Sequence, residues 1–110
     1  METVDILKAA RALIDTPEKW TRGLNARDAH GQDVRPNSLE AVCFCARGAI
    51  IRSAGFEHID AYELLQNALP IGGNDFVPAY NDNPDTTHAD IMALFDRAIE
   101  LAEKQNVISQ

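Results

Sequence analysis

The chain has 110 residues, 45% hydrophobic and 25% charged, with a formal net charge of −7 and a pI near 4.7. This length fits a single domain, 1–110, able to remove roughly two-thirds of its unfolded surface from water, and the composition excludes a disordered or collagen-like chain. Only ten basic residues face seventeen acidic ones, and they are scattered, so nucleic acid and anionic membranes are both excluded as expected partners.

Residues Thr3 to Asp15 place Val4, Ile6, Leu7, Ala10, Leu13 and Ile14 at helical spacing, with Asp5, Lys8 and Arg11 displaced to the other side, which predicts an amphipathic first helix. Thr16-Pro17-Glu18 then reads as an N-cap, a first-turn proline and an acid at the positive helix end, opening a short second helix that ends near Gly23. From Leu24 to Val34 the character changes, and Asp28-Ala29-His30-Gly31 has the composition of a tight turn, so a small β-hairpin is expected near 24–34.

The segment Ser38 to Gly55 is apolar on nearly every side when plotted at 3.6 residues per turn, with only Glu40, Arg47 and Arg52 asking for water. It predicts a buried central helix over 38–54, capped by Asn37 or Ser38 and closed by Gly55. Asp60 is expected to cap a helix over Ala61 to Leu69. Pro70 to Asp85 holds Gly72, Gly73, Pro78 and Pro84 and reads as an ordered loop. Thr86 or Thr87, with Asp90 three residues after Thr87, opens the last helix, and fraying is expected over 106–110. The fold class is therefore mainly α, a small bundle around the 38–54 helix.

Cys43 and Cys45 sit on that expected helix, too close to bridge and not convergent enough for zinc. They read as reduced core residues, which together with Glu2 and Asp5 at the start of the chain predicts a cytoplasmic protein without a secretory leader. His30, His58 and His88 are dispersed and form no ligand spacing. The segment Asn81-Asp82-Asn83-Pro84-Asp85 is rich in oxygen ligands, but an EF-hand would need glycine at Thr86 and glutamate at Met92. Gly72-Gly73-Asn74-Asp75 lacks the lysine of a phosphate loop. No cofactor and no metal are expected.

Trp20, Arg22, Phe76 and Tyr80 could wall a ligand pocket, with Asn81 or Asp82 as its polar group. The plainer alternative is that Trp20 and Tyr80 pin loops onto the core. No nucleophile elbow, His-Glu-x-x-His or carboxylate dyad is present, and catalysis gains no support.

In order along the chain stand Trp20-Thr21-Arg22-Gly23, Ala26-Arg27-Asp28-x-x-Gly31-x-x-Val34, Ala41-Val42-Cys43-Phe44-Cys45-Ala46-x-Gly48-Ala49-Ile50, Tyr80-Asn81-Asp82 and Thr86-Thr87-His88-x-Asp90. This series resembles a family of small uncharacterised bacterial and phage proteins, a domain of unknown function, from about Ala10 to Ala102. Tyr80 departs from the tryptophan more usual at that place, and Asn83-Pro84 is an insert. The resemblance implies a compact domain and the company of phage or mobile elements; it assigns no catalytic residue.

Together these readings favour a non-enzymatic binding or interaction module with a protein partner. The second reading is a small-molecule-binding protein or minor hydrolase with its ligand site at Trp20, Arg22, Tyr80, Asn81 and Asp82. A homodimer through an exposed apolar face of the first or last helix is the third.

Overall fold

The computed structural model describes residues 2–55, 59–71 and 76–108, the side chains of 106–108 excepted. The expectations for His58, for Gly72-Gly73 and for residues 109–110 fall outside the described residues; of the end expected to fray, 106–108 are described as the last residues of a helix. Five helices are described: α1 (Thr3–Leu13), α2 (Ala46–Ala54), α3 (Ile59–Asn67), α4 (Val77–Asp82) and α5 (His88–Ile108), with a 3-10 turn at Pro17–Lys19. Two short strands, β1 (Ala26–Arg27) and β2 (Cys43–Phe44), pair antiparallel, Ala26 opposite Phe44 and Arg27 opposite Cys43. The protein is mainly α with a small hairpin, as expected, but the strand partner of β1 is Cys43–Phe44, outside the expected 24–34 span, within which only the isolated Arg27 to Asp33 bridge forms.

The apolar spacing of α1 buries Ile6, Leu7 and Ala10, which pack with Ala49 and Ile50 of α2 and with Leu94, Phe95 and Ala98 of α5 in one core. Ala61 and Leu65 of α3 and Val77 of α4 close it from the other side. Of these, the Ile, Leu, Phe and Val side chains each contribute about 1.5–3 kcal/mol when fully removed from water. Arg11 of α1 pairs with Asp96 of α5 at 2.8 Å on the surface, where an ion pair adds at most about 1 kcal/mol.

The predicted hairpin turn is present. Asp28 Oδ1 accepts the His30 and Gln32 amides, both at 2.9 Å, Gly31 takes a φ of 80°, and Val34 N donates to Ala26 O at 3.3 Å. Those amides, Gln32 first, hold the Asp28 carboxyl below its ordinary pKa. Isolated bridges from Arg27 to Asp33 and from Trp20 to Phe44 widen the ladder. The resulting order across the layer is Asp33, Arg27, Cys43 to Phe44, and Trp20.

Four expectations need correction. The central helix begins at Ala46, not Ser38, so its N-cap is Cys45 rather than Asn37 or Ser38. Residues Val42 to Cys45 are drawn into extended backbone by the neighbouring strand: Val42 N donates to Arg27 O at 2.9 Å and Cys45 N to Asn25 O at 3.2 Å. Neither Cys43 nor Cys45 is therefore helical, although both are free. Gly55 does end α2, with a φ of 84°. Second, α3 starts at Ile59, placing Asp60 inside its first turn rather than at its cap.

Third, Val77–Asp82 is a helix where a loop is expected. Pro78 lies in the first turn, where a missing N–H costs nothing because that amide has no helical partner, and Val77 N finds Gln66 Oε1 at 3.1 Å. Fourth, the turn after Thr16 stops at Lys19, short of Gly23.

The start of α5 follows its capping box: Asp90 N donates to Thr87 Oγ1 at 3.1 Å and Thr87 N to Asp90 Oδ2 at 2.9 Å. No helix among the described residues is long and apolar enough to cross a membrane.

Candidate functional site

Asn81, on the last turn of α4, is fully buried. Its Oδ1 accepts from Trp20 Nε1 at 2.7 Å and from Ala46 N, at the free end of α2, at 3.0 Å. Its Nδ2 donates to Thr21 O and to Asp82 Oδ1, both at 3.0 Å. Those four bonds use the whole capacity of an amide side chain. Asn81 thereby joins the loop after Pro17, the start of α2 and the end of α4 in a single polar clasp.

The neighbours complete it. Asp82 Oδ1 also accepts Gly23 N at 2.8 Å. The Arg22 guanidinium lies 4.5 Å from the Trp20 ring centroid and donates to Thr86 O, a cation–π contact with a fixed far end. His88 is tilted against Trp20 at 6.0 Å between centroids, and its Nε2 lies 2.7 Å from Ile14 O. Because a carbonyl only accepts, Nε2 carries the proton in that bond.

Four of the five residues expected to form a site, Trp20, Arg22, Asn81 and Asp82, are thus brought together. Tyr80 is not among them. The helical turn of α4 carries it about 100° around the axis from Asn81, to a place beside Asp90 and Arg97 of α5. Burial first, then the Asp90 charge, pushes its phenol above the ordinary range. Phe76, also expected in the wall, is 65% exposed.

Residues that carried no predicted polar role hold the clasp's other side. Cys45 Sγ accepts Gly48 N at 3.2 Å and lies 3.5 Å from Asn25 Oδ1, so this thiol serves as a helix cap. Its burial outweighs the helix amides and raises its pKa above the ordinary value. Arg27 donates to Thr21 Oγ1 at 2.8 Å, Arg22 O at 2.8 Å and Gly31 O at 3.0 Å, which ties the hairpin to the Trp20 loop. Gly48 lets the Asn25 backbone approach α2; a Cβ there would stand 1.8 Å from Asn25 O. The signal for Gly48 is present in the sequence, since glycine inside a helix is unfavourable by about 1 kcal/mol unless close packing needs it.

Beside the clasp lies a depression of about 260 Å³ lined by Gly23, Leu24, Asn25, Asp33, Cys45, Pro78 and Asp82. A second, of about 330 Å³, shares Asn25 and Asp33 and continues over Val34, Arg35, Pro36 and Asn37. Both open to solvent along the hairpin. Two carboxylates, one amide and a neutral thiol in the first depression make a surface that accepts hydrogen bonds and favours positive charge. Among the described residues no three His, Cys, Asp or Glu side chains are grouped to hold a metal ion.

Comparison with curated proteins and with solved structures gives no match. A family model does match, over residues 1–101, a span that contains the clasp, both depressions and all but the end of α5. The chain belongs to the family of unknown function DUF6197.

Proposed function

We propose that the protein is a non-enzymatic binding module whose contact face is the hairpin side carrying the two depressions. The observation that carries this reading is the division of labour around Asn81. The polar groups of the Asn81 side chain are all bonded within the fold, while the adjoining surface presents to solvent Asp33 and the exposed carboxylate of Asp82, which the clasp holds by Oδ1. A group fully occupied within the fold supplies rigidity, and an exposed carboxylate beside a shaped depression supplies recognition.

The thiol in the depression does not favour catalysis, because Cys45 is buried and its pKa is raised, which keeps it protonated at neutral pH. Two free cysteines support a reducing, cytoplasmic setting, and the ordered motifs support a bacterial or phage one. The small-molecule reading is favoured by one observation, the size of the depression at Asp82, about 260 Å³, which suits a compact polar ligand at the low end of the usual pocket range.

Native mass spectrometry on gently purified protein tests both readings. Wild type is expected to retain a partner, or a small extra mass, that the Asp33→Asn/Asp82→Asn double variant releases. Equal retention by the double variant would move the contact surface elsewhere. Turnover of an ester, nucleotide or peptide abolished by one polar substitution would overturn the non-enzymatic reading.

A further inference from the structure

We infer that the outer edge of the hairpin, Asp33 to Arg35, is a docking edge for an extended basic segment of another protein, which adds as a strand and lays a lysine or arginine side chain between Asp33 and Asp82. This names the partner class for the binding-module reading and rests on it.

Two independent features meet at this edge. The first is main-chain geometry. Asp33 and Arg27 form an antiparallel bridge whose bonds run from Asp28 N to Gln32 O and from Val34 N to Ala26 O. In such a pair the bonds flank the bridged residues, so the N–H and C=O of Asp33 point away from β1. Those two groups and the Arg35 N–H make no hydrogen bond among the described residues. An added strand needs such an alternating set of free donors and acceptors.

The second feature is charge. The depression at one end of this edge is lined by Asp33 and Asp82 and by no basic side chain, on a chain of net charge −7. Asp82 uses Oδ1 for Gly23 N and Asn81 Nδ2, at 2.8 and 3.0 Å, so its carboxylate is held by the clasp. Asn25 Oδ1 adds a neutral acceptor. At the other end of the edge stands Arg35. The incoming cation is therefore favoured at the Asp82 end and opposed at the Arg35 end, which fixes the segment's register by charge. A free amine would fill the first depression, but it leaves the Asp33 and Arg35 main-chain groups and the second depression unused.

The test is amide chemical-shift mapping of the whole protein with a short acetylated Thr/Val peptide bearing one central lysine. Two analogues accompany it, one with norleucine for lysine and one N-methylated at the residue facing Asp33. The lysine peptide is expected to move the amides of Asp33 to Arg35 and of Gly23 to Asn25. Norleucine, or Asp82→Asn in the protein, is expected to weaken binding about three- to five-fold each, the scale of a solvent-exposed ion pair. N-methylation should abolish binding.

Asp82→Asn keeps an oxygen for Gly23 N, and an unchanged melting temperature will show that the clasp survives. Equal binding of the lysine and norleucine peptides, undiminished binding of the N-methylated one, or no shift at this edge would overturn the inference. If that happens while Asp33→Asn/Asp82→Asn still releases a native partner, the binding-module reading stands and only strand addition falls.

Discussion

Replacing Asn81 by alanine strands three groups at once: Trp20 Nε1–H, Ala46 N–H and the Thr21 carbonyl. A buried polar group left without a partner costs about 1–3 kcal/mol, and the rim of this cluster can admit water, so the net loss in unfolding free energy should be about 3 kcal/mol. Urea unfolding measures it; a loss within the range of an ordinary surface substitution, about 0.5 kcal/mol, would show that Asn81 is not the clasp. Cys45 gives a prediction of pH dependence. Burial raises its folded pKa above the ordinary value, so above about pH 8.5 the unfolded thiol loses its proton while the folded one keeps it. The unfolded state then binds fewer protons, and stability falls as pH rises. The contribution is complete below the unfolded pKa and is lost as pH climbs through the folded one. Tyr62 and Tyr80 are shifted in the same direction, chiefly by burial. Unfolding free energies between neutral pH and pH 10 should therefore decline in wild type and decline less in Cys45→Ser, whose hydroxyl can still accept Gly48 N.

At the scale of elements, the capping box of α5 is the most local of the helix signals, and its loss should be correspondingly simple. Thr87→Ala removes the oxygen that accepts Asp90 N and should cost about 1 kcal/mol, with Thr87→Ser restoring most of it in thermal unfolding. Helices whose ends are set locally were legible in the sequence: α1 by its apolar stripe, α5 by Thr87 and Asp90. The start of α2 and the existence of α4 were not, because distant groups decide them. The run Val42-Cys43-Phe44-Cys45 is apolar enough for either a strand or a helix, and the choice is made by Arg27 O and Asn25 O, which capture Val42 N and Cys45 N. Asn81 Oδ1 then takes the Ala46 amide, an interaction across 35 positions that no local window contains. Likewise Gln66 Oε1 supports Val77 N. The same cause explains the site. Trp20, Arg22, Asn81 and Asp82 converge as their chemistry suggested, but once 77–82 is helical Tyr80 must diverge from Asn81.

Across the whole molecule, the radius of gyration is 13.3 Å, near the value of about 13 Å expected for a folded chain of 100 residues. The start of α2, the end of α4 and the start of α5 meet the hairpin layer at the clasp, and Trp20, the only tryptophan, sits there. It is bonded to Asn81 of α4, tilted against His88 at the start of α5 and bridged to Phe44 of β2. Through Asn81 it also shares an acceptor with the first amide of α2. Separating α2 from α4 must therefore disturb Asn81, and with it the acceptor that holds Trp20. This shared dependence predicts one cooperative transition in which Trp20 fluorescence and far-UV circular dichroism share a single urea midpoint. The hairpin is too small to be stable by itself, since two-stranded ribbons are marginal without a packing partner, so an independent hairpin unit is not expected. A fluorescence midpoint well below the dichroism midpoint would show that the Trp20 loop and hairpin open from a persisting helical core. In that case the docking edge would belong to a layer that loosens locally, and binding at Asp33 should raise the fluorescence midpoint more than the dichroism one.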